Sequence, residues 1–284
     1  MSQSLFRNRK RRSWEPTVRA LSHKATWAIN KRLPEQIPLV FVVGYPKSGT
    51  TWVCQLLADY FQLPFPRASL LPIGCPAVVH GHEIVLPHYR TAAYVLRDGR
   101  DVMTSLYFHL TRRMSAGDRP PLTRRQKRMF PGLVNKDDVA TNFPRFLEAQ
   151  MRDPFASRYH WGEHVMRSLD ALGGRVASTS YEALLADGRA ELSRLAETIG
   201  GEPVDPDRVG WTIEKFSFSR QAGRRPGAEA RKSFLRKGSA GDWRNHFTRE
   251  AAEIFDDWCG DALIRAGYEA DRSWVAGERD GAAS

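Results

Sequence analysis

The chain is poor in cysteine and carries no long apolar run. Its three cysteines, Cys54, Cys75 and Cys259, are odd in number and far apart, without metal-ligand spacing. A disulfide framework and a zinc site are therefore not expected, and a reduced cytoplasmic protein is. No stretch approaches the ~18 apolar residues of a membrane span, and no signal peptide is read ahead of the first apolar run. Acidic residues are the scarcer charge: 32 Asp and Glu against 43 Lys and Arg leave a formal +11. That balance favours anionic partners. Nucleic acid is not expected among them, because no recognised binding motif appears and the aromatics follow core periodicities. Internal repeats are missing too, and 284 residues suit one large α/β domain.

What is present is organised around Leu39 to Phe61, LVFVVGYPKSGTTWVCQLLADYF. The first five residues read as a strand buried on both faces. Gly44 to Thr51 follow as a turn, and Trp52, Val53, Leu56, Leu57, Tyr60 and Phe61 recur at helical spacing. Strand, glycine-bearing turn and helix N-terminus aim backbone N–H groups and the positive end of a helix dipole at one point. Lys47 adds a charge, and Ser48, Thr50 and Thr51 add hydroxyl donors around Gly49. The nucleoside-triphosphate loop G-x-x-x-x-G-K-[ST] differs, since Thr50 stands where its lysine belongs. No acidic strand end for Mg²⁺ is evident nearby. The loop suits an anionic group that needs no metal.

Along the chain, residues 1–12 form a basic tail expected to be disordered. Trp14, Val18, Leu21, Ala25 and Ile29 then share one helical face. Two readings stand: a basic amphipathic helix on an anionic membrane, or a helix packed on its own domain. Strand ends are expected at Val78–His82, at Ala92–Leu96 and at Arg175–Tyr181. Helices are expected at about Val102–Leu110, Phe143–Leu172, Ala190–Ile199, Asp207–Phe216 and Arg249–Ala266. Residues 111–137 are long, basic and irregular, which suggests a lid or a solvated loop. Alternating strands and helices predict an α/β fold, a three-layer P-loop-like architecture with a central parallel sheet flanked by helices. The expected division is a tail and amphipathic helix at 1–35, one domain at 36–275 and a flexible tail at 276–284.

Tyr45-Pro46-Lys47-Ser48-Gly49-Thr50-Thr51-Trp52 resembles the 5′-phosphosulfate loop of the cytosolic-type sulfotransferases, which use 3′-phosphoadenosine 5′-phosphosulfate (PAPS). Two further segments agree. Leu96-Arg97-Asp98-Gly99-Arg100-Asp101-Val102, with Ser105 eight residues after Arg97, resembles the 3′-phosphate clamp. Arg236-Lys237-Gly238-Ser239-Ala240-Gly241-Asp242-Trp243 is similar to the R-K-G-x-x-G-D-W cofactor signature. The likeness covers roughly residues 38–268, and a bacterial member is expected. It implies PAPS contacts at Lys47, Ser48, Gly49, Thr50, Thr51, Trp52, Arg97, Ser105, Tyr181, Phe218, Arg236, Lys237 and Gly238. Tyr181 would touch the adenine, Trp52 and Phe218 would stack on it, and Asp242 and Trp243 would fix the turn.

The resemblance also implies sulfuryl transfer to an acceptor hydroxyl, with 3′,5′-ADP as product. Transfer needs a base, and histidine titrates near working pH. His82 aligns with the family's base, while His80 stands where a lysine is typical. His80 itself and Glu83 are the alternatives. Lys47 would neutralise charge on the bridging oxygen. The acceptor reads as a glycolipid, glycan or natural product, anionic or presented at a membrane through the basic N-terminus. A small phenol in a pocket lined by Phe146 and Trp161 is the other option. A catalytically weak PAPS-binding module and a P-loop kinase are the rival functions.

Overall fold

Leu39–Val43 forms β1, and all five residues are buried because both faces of the sheet are covered. It pairs in parallel with β2 (Ala77–Gly81) and with β3 (Ala92–Leu96). β4 (Val176–Ser180) joins β3, also in parallel, giving the order β2-β1-β3-β4. This computed structural model describes residues 14–277 apart from residues 68, 87–88, 116–126, 133–134, 136, 156, 175, 226 and 228–237.

Period-two alternation sorts the strand residues between two faces. Val40, Val42, Val78, Ala93, Val95 and Ala177 face one core. There they meet α2 (Thr50–Phe61), α6 (Tyr181–Ala186), α7 (Gly188–Gly200) and α8 (Pro206–Lys215). Phe41, Val43, Val79, Ala92 and Tyr94 face the opposite way, against Trp27 of α1 (Glu15–Arg32) and Leu169 of α5 (Trp161–Leu169). A larger aromatic core extends from that side. It is built by α3 (Gly99–Ser115), α4 (Val139–Arg152), α5 and α9 (Arg249–Arg265). The three-layer expectation holds.

Four local readings change. The helix expected over Phe143–Leu172 is two helices: α4 stops at Arg152, Pro154 follows, and His160 starts α5 by accepting the Glu163 N–H. α3 begins earlier than expected because the Asp98 carboxylate takes the Arg100 N–H at 2.9 Å. Phe146 and Trp161, one option for an apolar acceptor pocket, are fully buried in the aromatic core instead. Finally, α1 packs on its own domain, but through Ser22, Thr26 and Asn30 rather than through its apolar stripe. Thr26 Oγ1 accepts the Ile73 N–H, and Asn30 donates to the Ile37 carbonyl. Leu21 is 61% exposed and Trp14 44%.

Candidate active site

The carboxyl ends of the parallel strands bring the sequence-predicted groups to one edge, as an open α/β sheet does for its ligands. From β1 comes the loop of residues 44–49, closed by Ser48 N–H donating to the Tyr45 carbonyl at 3.1 Å. Gly49 caps α2 at φ 95°, and an added Cβ would lie 2.9 Å from the Tyr181 ring. Gly44 passes so close to β3 that a Cβ would meet the Val95 carbonyl oxygen at 2.5 Å. Lys47 has φ 79°, a left-handed conformation that a lysine adopts only at some cost in backbone strain. The loop geometry thus outweighs the local preference of its own residue. Thr50 and Thr51 open α2, where a helix leaves N–H groups without intrahelical acceptors, while the Trp52 N–H is given to the Gly49 carbonyl at 2.9 Å.

From β3 comes Arg97, largely buried. Its guanidinium lies 4.2 Å from the Tyr181 ring centroid. It donates to the main-chain oxygens of Lys47 at 3.3 Å and Ser239 at 3.4 Å, and stands 3.7 Å from Asp101. Trp52 meets the same Tyr181 ring edge-on at 5.9 Å. Loop, arginine and tyrosine therefore form one wall. Ser105 sits half-buried on α3, two turns after Arg97. Gly238, at φ 66°, packs directly on Phe218: a Cβ would fall 2.2 Å from the ring. Arg236 and Lys237 lie outside the described residues.

Three groups decide whether this wall fits a bound anion. Ser48 Oγ, Arg97 Nε and Trp52 Nε1 are buried without a hydrogen-bond partner among the described residues. Buried polar atoms are normally satisfied. Three orphaned atoms beside a helix N-terminus match a polyanionic ligand that accepts from them.

From β2 come the base candidates. His82 Nδ1 lies 3.0 Å from the Gly44 carbonyl oxygen. A carbonyl only accepts, so Nδ1 carries the proton and Nε2 keeps its lone pair. Burial depresses the His82 pKa and Lys47 depresses it further, against the opposing Gly44 bond and Glu83 charge, so the ring stays neutral near pH 7. His80 Nε2 is 2.8 Å from Thr50 Oγ1, and burial pushes its pKa down to about 3. Glu83 is committed elsewhere. It accepts the Tyr89 hydroxyl at 2.7 Å and the His82 N–H at 3.0 Å, and faces His23 at 3.4 Å. Burial would raise its pKa, but these partners outweigh that and hold it at about 2. Gly81 makes room for it, since a Cβ would sit 2.4 Å from the carboxylate.

Several supporting residues have roles that the sequence reading did not assign. His164, fully buried, donates through Nε2 to the His82 carbonyl at 3.2 Å and accepts from Tyr94 at Nδ1. Tyr45 packs edge-on against His164 and accepts from Gln150 at 2.9 Å. Arg100 is held between the Trp243 and Trp274 rings and pairs with Asp98 and Glu269. Asp101 accepts the N–H groups of Gly241 at 2.7 Å and Trp243 at 2.9 Å. These two bonds tie the downstream signature to the end of β3.

A parallel sheet whose strand ends present an anion loop, a buried arginine and a neutral histidine defines a group-transfer enzyme acting on a nucleotide anion. Comparison with known proteins names the group. The profile of the sulfotransferase domain family matches residues 91–267, and the chain belongs to that family. It is a PAPS-dependent sulfotransferase. The amine sulfotransferase of Oryctolagus cuniculus is 26% identical over 262 aligned residues, spanning 76% of this chain and 78% of that protein. A mouse sulfotransferase complexed with PAP superposes with a TM-score of 0.61 at 18% identity, covering 91% of this chain and 95% of that one. Retinol dehydratase in complex with androsterone and inactive cofactor PAP gives 0.56 at 19%, covering 85% of each. At these identities the two structures establish the fold.

Proposed function

We propose that the chain moves a sulfuryl group to an acceptor hydroxyl with His82 as general base and Lys47 as the charge at the leaving oxygen. The observation that carries this reading is the His82 tautomer: Nδ1 is spent on Gly44, so Nε2 is left as the proton acceptor, at the end of the strand that neighbours the one carrying the anion loop. PAPS supplies the sulfuryl group when bound. The α2 N-terminus, Ser48, Thr50 and Thr51 hold anionic oxygens, with Gly49 allowing close approach. Arg97 and Ser105 hold the 3′-phosphate, and Tyr181, Trp52 and Phe218 frame the purine. Gly238 extends the cofactor wall beside Phe218, and the resemblance assigns Arg236 and Lys237 to the same cofactor. Glu83 and His80 are the weaker candidates for the base, Glu83 because three groups already share its carboxylate, His80 because Thr50 engages the nitrogen that faces the loop.

The domain is residues 36–275, with 1–35 as the N-terminal segment and 276–284 as the tail. The neighbour holding androsterone is bound to an alcohol, and an acceptor hydroxyl is the part carried over here. A glycolipid, glycan or natural product is the class we favour. Membrane presentation is supported by the outward stripe of α1, where exposed Trp14 and Leu21 run beside Lys24, Lys31 and Arg32.

Thermal shift with 3′,5′-ADP, 5′-AMP and Mg·ATP tests the cofactor roles. A ligand at 100 times its Kd stabilises the fold by ~2.7 kcal/mol. The shift should come from 3′,5′-ADP without metal and be lost in Arg97→Ala. A shift from Mg·ATP alone would make the kinase reading the better one. Single-turnover assays on His82→Asn test the base, and unchanged turnover there would end that assignment.

A further inference from the structure

His82 is the first residue beyond β2, whose last paired position is Gly81 opposite Val43. The sheet ladder no longer holds its main chain there, and a half-buried main chain still needs partners. Side chains supply them. The His82 N–H donates to Glu83 Oε2 at 3.0 Å, and the His82 carbonyl accepts from His164 Nε2 at 3.2 Å. With Nδ1 on the Gly44 carbonyl, Nε2 is the one polar atom of His82 left without a partner among the described residues.

Each support is itself anchored. Glu83 Oε1 accepts the Tyr89 hydroxyl at 2.7 Å and faces His23 Nε2 of α1 at 3.4 Å. The Tyr89 ring lies on Phe41 of β1, with centroids 4.4 Å apart. His164 is fully buried on α5 and accepts from the Tyr94 hydroxyl of β3 at 3.1 Å. Space is also set aside for the carboxylate. A Cβ at Gly81 would stand 2.4 Å from both of its oxygens, and Gly81 has no left-handed φ that would call for glycine on other grounds.

We infer that Glu83 is a positioning residue for the base: with His164 it clamps the main chain of His82, so that the ring keeps its proton on Nδ1 and its lone pair on Nε2. This deepens the reading of His82 as the base and rests on it. A glutamine at this position can still accept the His82 N–H and donate to the Tyr89 oxygen, whereas an alanine does neither.

Long-range ¹H–¹⁵N NMR on histidine-labelled protein reads the tautomer and pKa of each ring, and the signal lost in His82→Asn identifies His82. The neutral wild-type ring should be the Nδ1–H tautomer alone. Glu83→Ala should bring in the Nε2–H form, and Glu83→Gln should keep the Nδ1–H form alone. Glu83 and Lys47 act on the charge of the ring, His80 packs edge-on to it at 4.6 Å, and His164 and His23 are the next titratable groups, through the carbonyl and through Glu83. Glu83→Gln removes the negative member of this set, so the His82 pKa should fall. With PAPS and 4-methylphenol, Glu83→Ala should lose about 10²-fold in kcat, the scale of a misplaced catalytic group, at unchanged KM for PAPS. Glu83→Gln should recover most of that loss. Equal losses in the two variants would make the carboxylate itself the base and overturn the inference, as would an unchanged tautomer in Glu83→Ala. Where that phenol is not turned over, the tautomer decides. Should Glu83→Ala fail to fold, Tyr89→Phe takes its place: it removes the O–H that anchors the carboxylate and should bring in part of the Nε2–H form, and an unchanged tautomer there overturns the inference. A wild-type ring protonated on Nε2 counts instead against His82 as the base, so the two failures are distinguishable.

Discussion

Asp101→Asn should loosen the downstream cofactor segment while leaving the phosphate loop in place. The carboxylate is 1% exposed and accepts two main-chain N–H groups, Gly241 at 2.7 Å and Trp243 at 2.9 Å. Asparagine keeps one acceptor oxygen and replaces the other with a donor. One of the two N–H groups is then orphaned and faces an NH₂. A buried donor without a partner costs about 1–3 kcal/mol. For a domain of this size, each kcal/mol moves Tm by roughly 2–4 °C, so a drop of roughly 2–12 °C is expected. The charge is not the source of the loss. Burial raises the Asp101 pKa, with Arg97 and the two N–H groups opposing, so the ionised form gains nothing net from its surroundings. The assay is hydrogen exchange: a peptide spanning 238–247 should exchange faster in the variant, and a peptide from α2 should not. An unchanged Tm with unchanged exchange in 238–247 would refute the clamp.

Lys47→Ala should cut kcat about 10²–10³-fold, the usual loss for one oxyanion donor, with the fold intact by circular dichroism; full turnover would remove the lysine from the mechanism. Gly49→Ala places a Cβ 2.9 Å from Tyr181 at φ 95°, and should abolish the Tm shift given by 3′,5′-ADP while lowering stability by about 1–3 kcal/mol. Acid should destabilise the protein through its buried histidines. Burial holds His80 at about 3 and His164 at about 4, against 6.5 when unfolded, so the unfolded chain binds more protons between those values. Their stabilisation is full above pH 6.5 and is lost as pH falls, with Glu83, at about 2, adding a further loss below about pH 4.5. His23, whose pKa is raised by Glu83, works the other way, its share being lost as pH rises. Urea titrations at pH 7, 6, 5 and 4 should show a declining unfolding free energy, and a flat profile would contradict the burial of these rings.

The strands and the loop were legible because each has a signature of its own. β1 is a five-residue apolar run flanked by a glycine turn, and β3 runs into an arginine that only a strand end would place there. The break between α4 and α5 was harder, because the apolar spacing continues through it and Pro154 is the only local warning. α1 defeated the periodicity argument outright. Its apolar stripe is the longest pattern on the helix, yet Ser22, Thr26 and Asn30 are the buried positions, with Thr26 and Asn30 satisfying backbone groups outside the helix at Ile73 and Ile37. The same limit hid Asp101 and His164. Each acts on a main-chain group more than 80 residues distant, and no spacing in the chain encodes that meeting.

The replacement of the family's lysine by His80 bears on how the loop gathers charge. A lysine at that strand end would be pressed against the α2 N-terminus, near Lys47, and would meet burial and the Arg67 charge that already depress His80. Burial disfavours an unpaired ammonium, so a second cation there would add less than its formal charge. A neutral imidazole avoids that conflict. With Nε2 2.8 Å from Thr50 Oγ1, it can donate to the hydroxyl oxygen, which leaves the threonine O–H aimed at the ligand. On the proposed mechanism the positive field then comes from Lys47, the helix N-terminus and Arg97, and the proton acceptor is one residue on from the strand, at His82. Charge and base are carried by different residues, so losing the lysine weakens one without removing the other. On this division of roles, a binding module without turnover would have to have lost His82 or Lys47, and the chain keeps both.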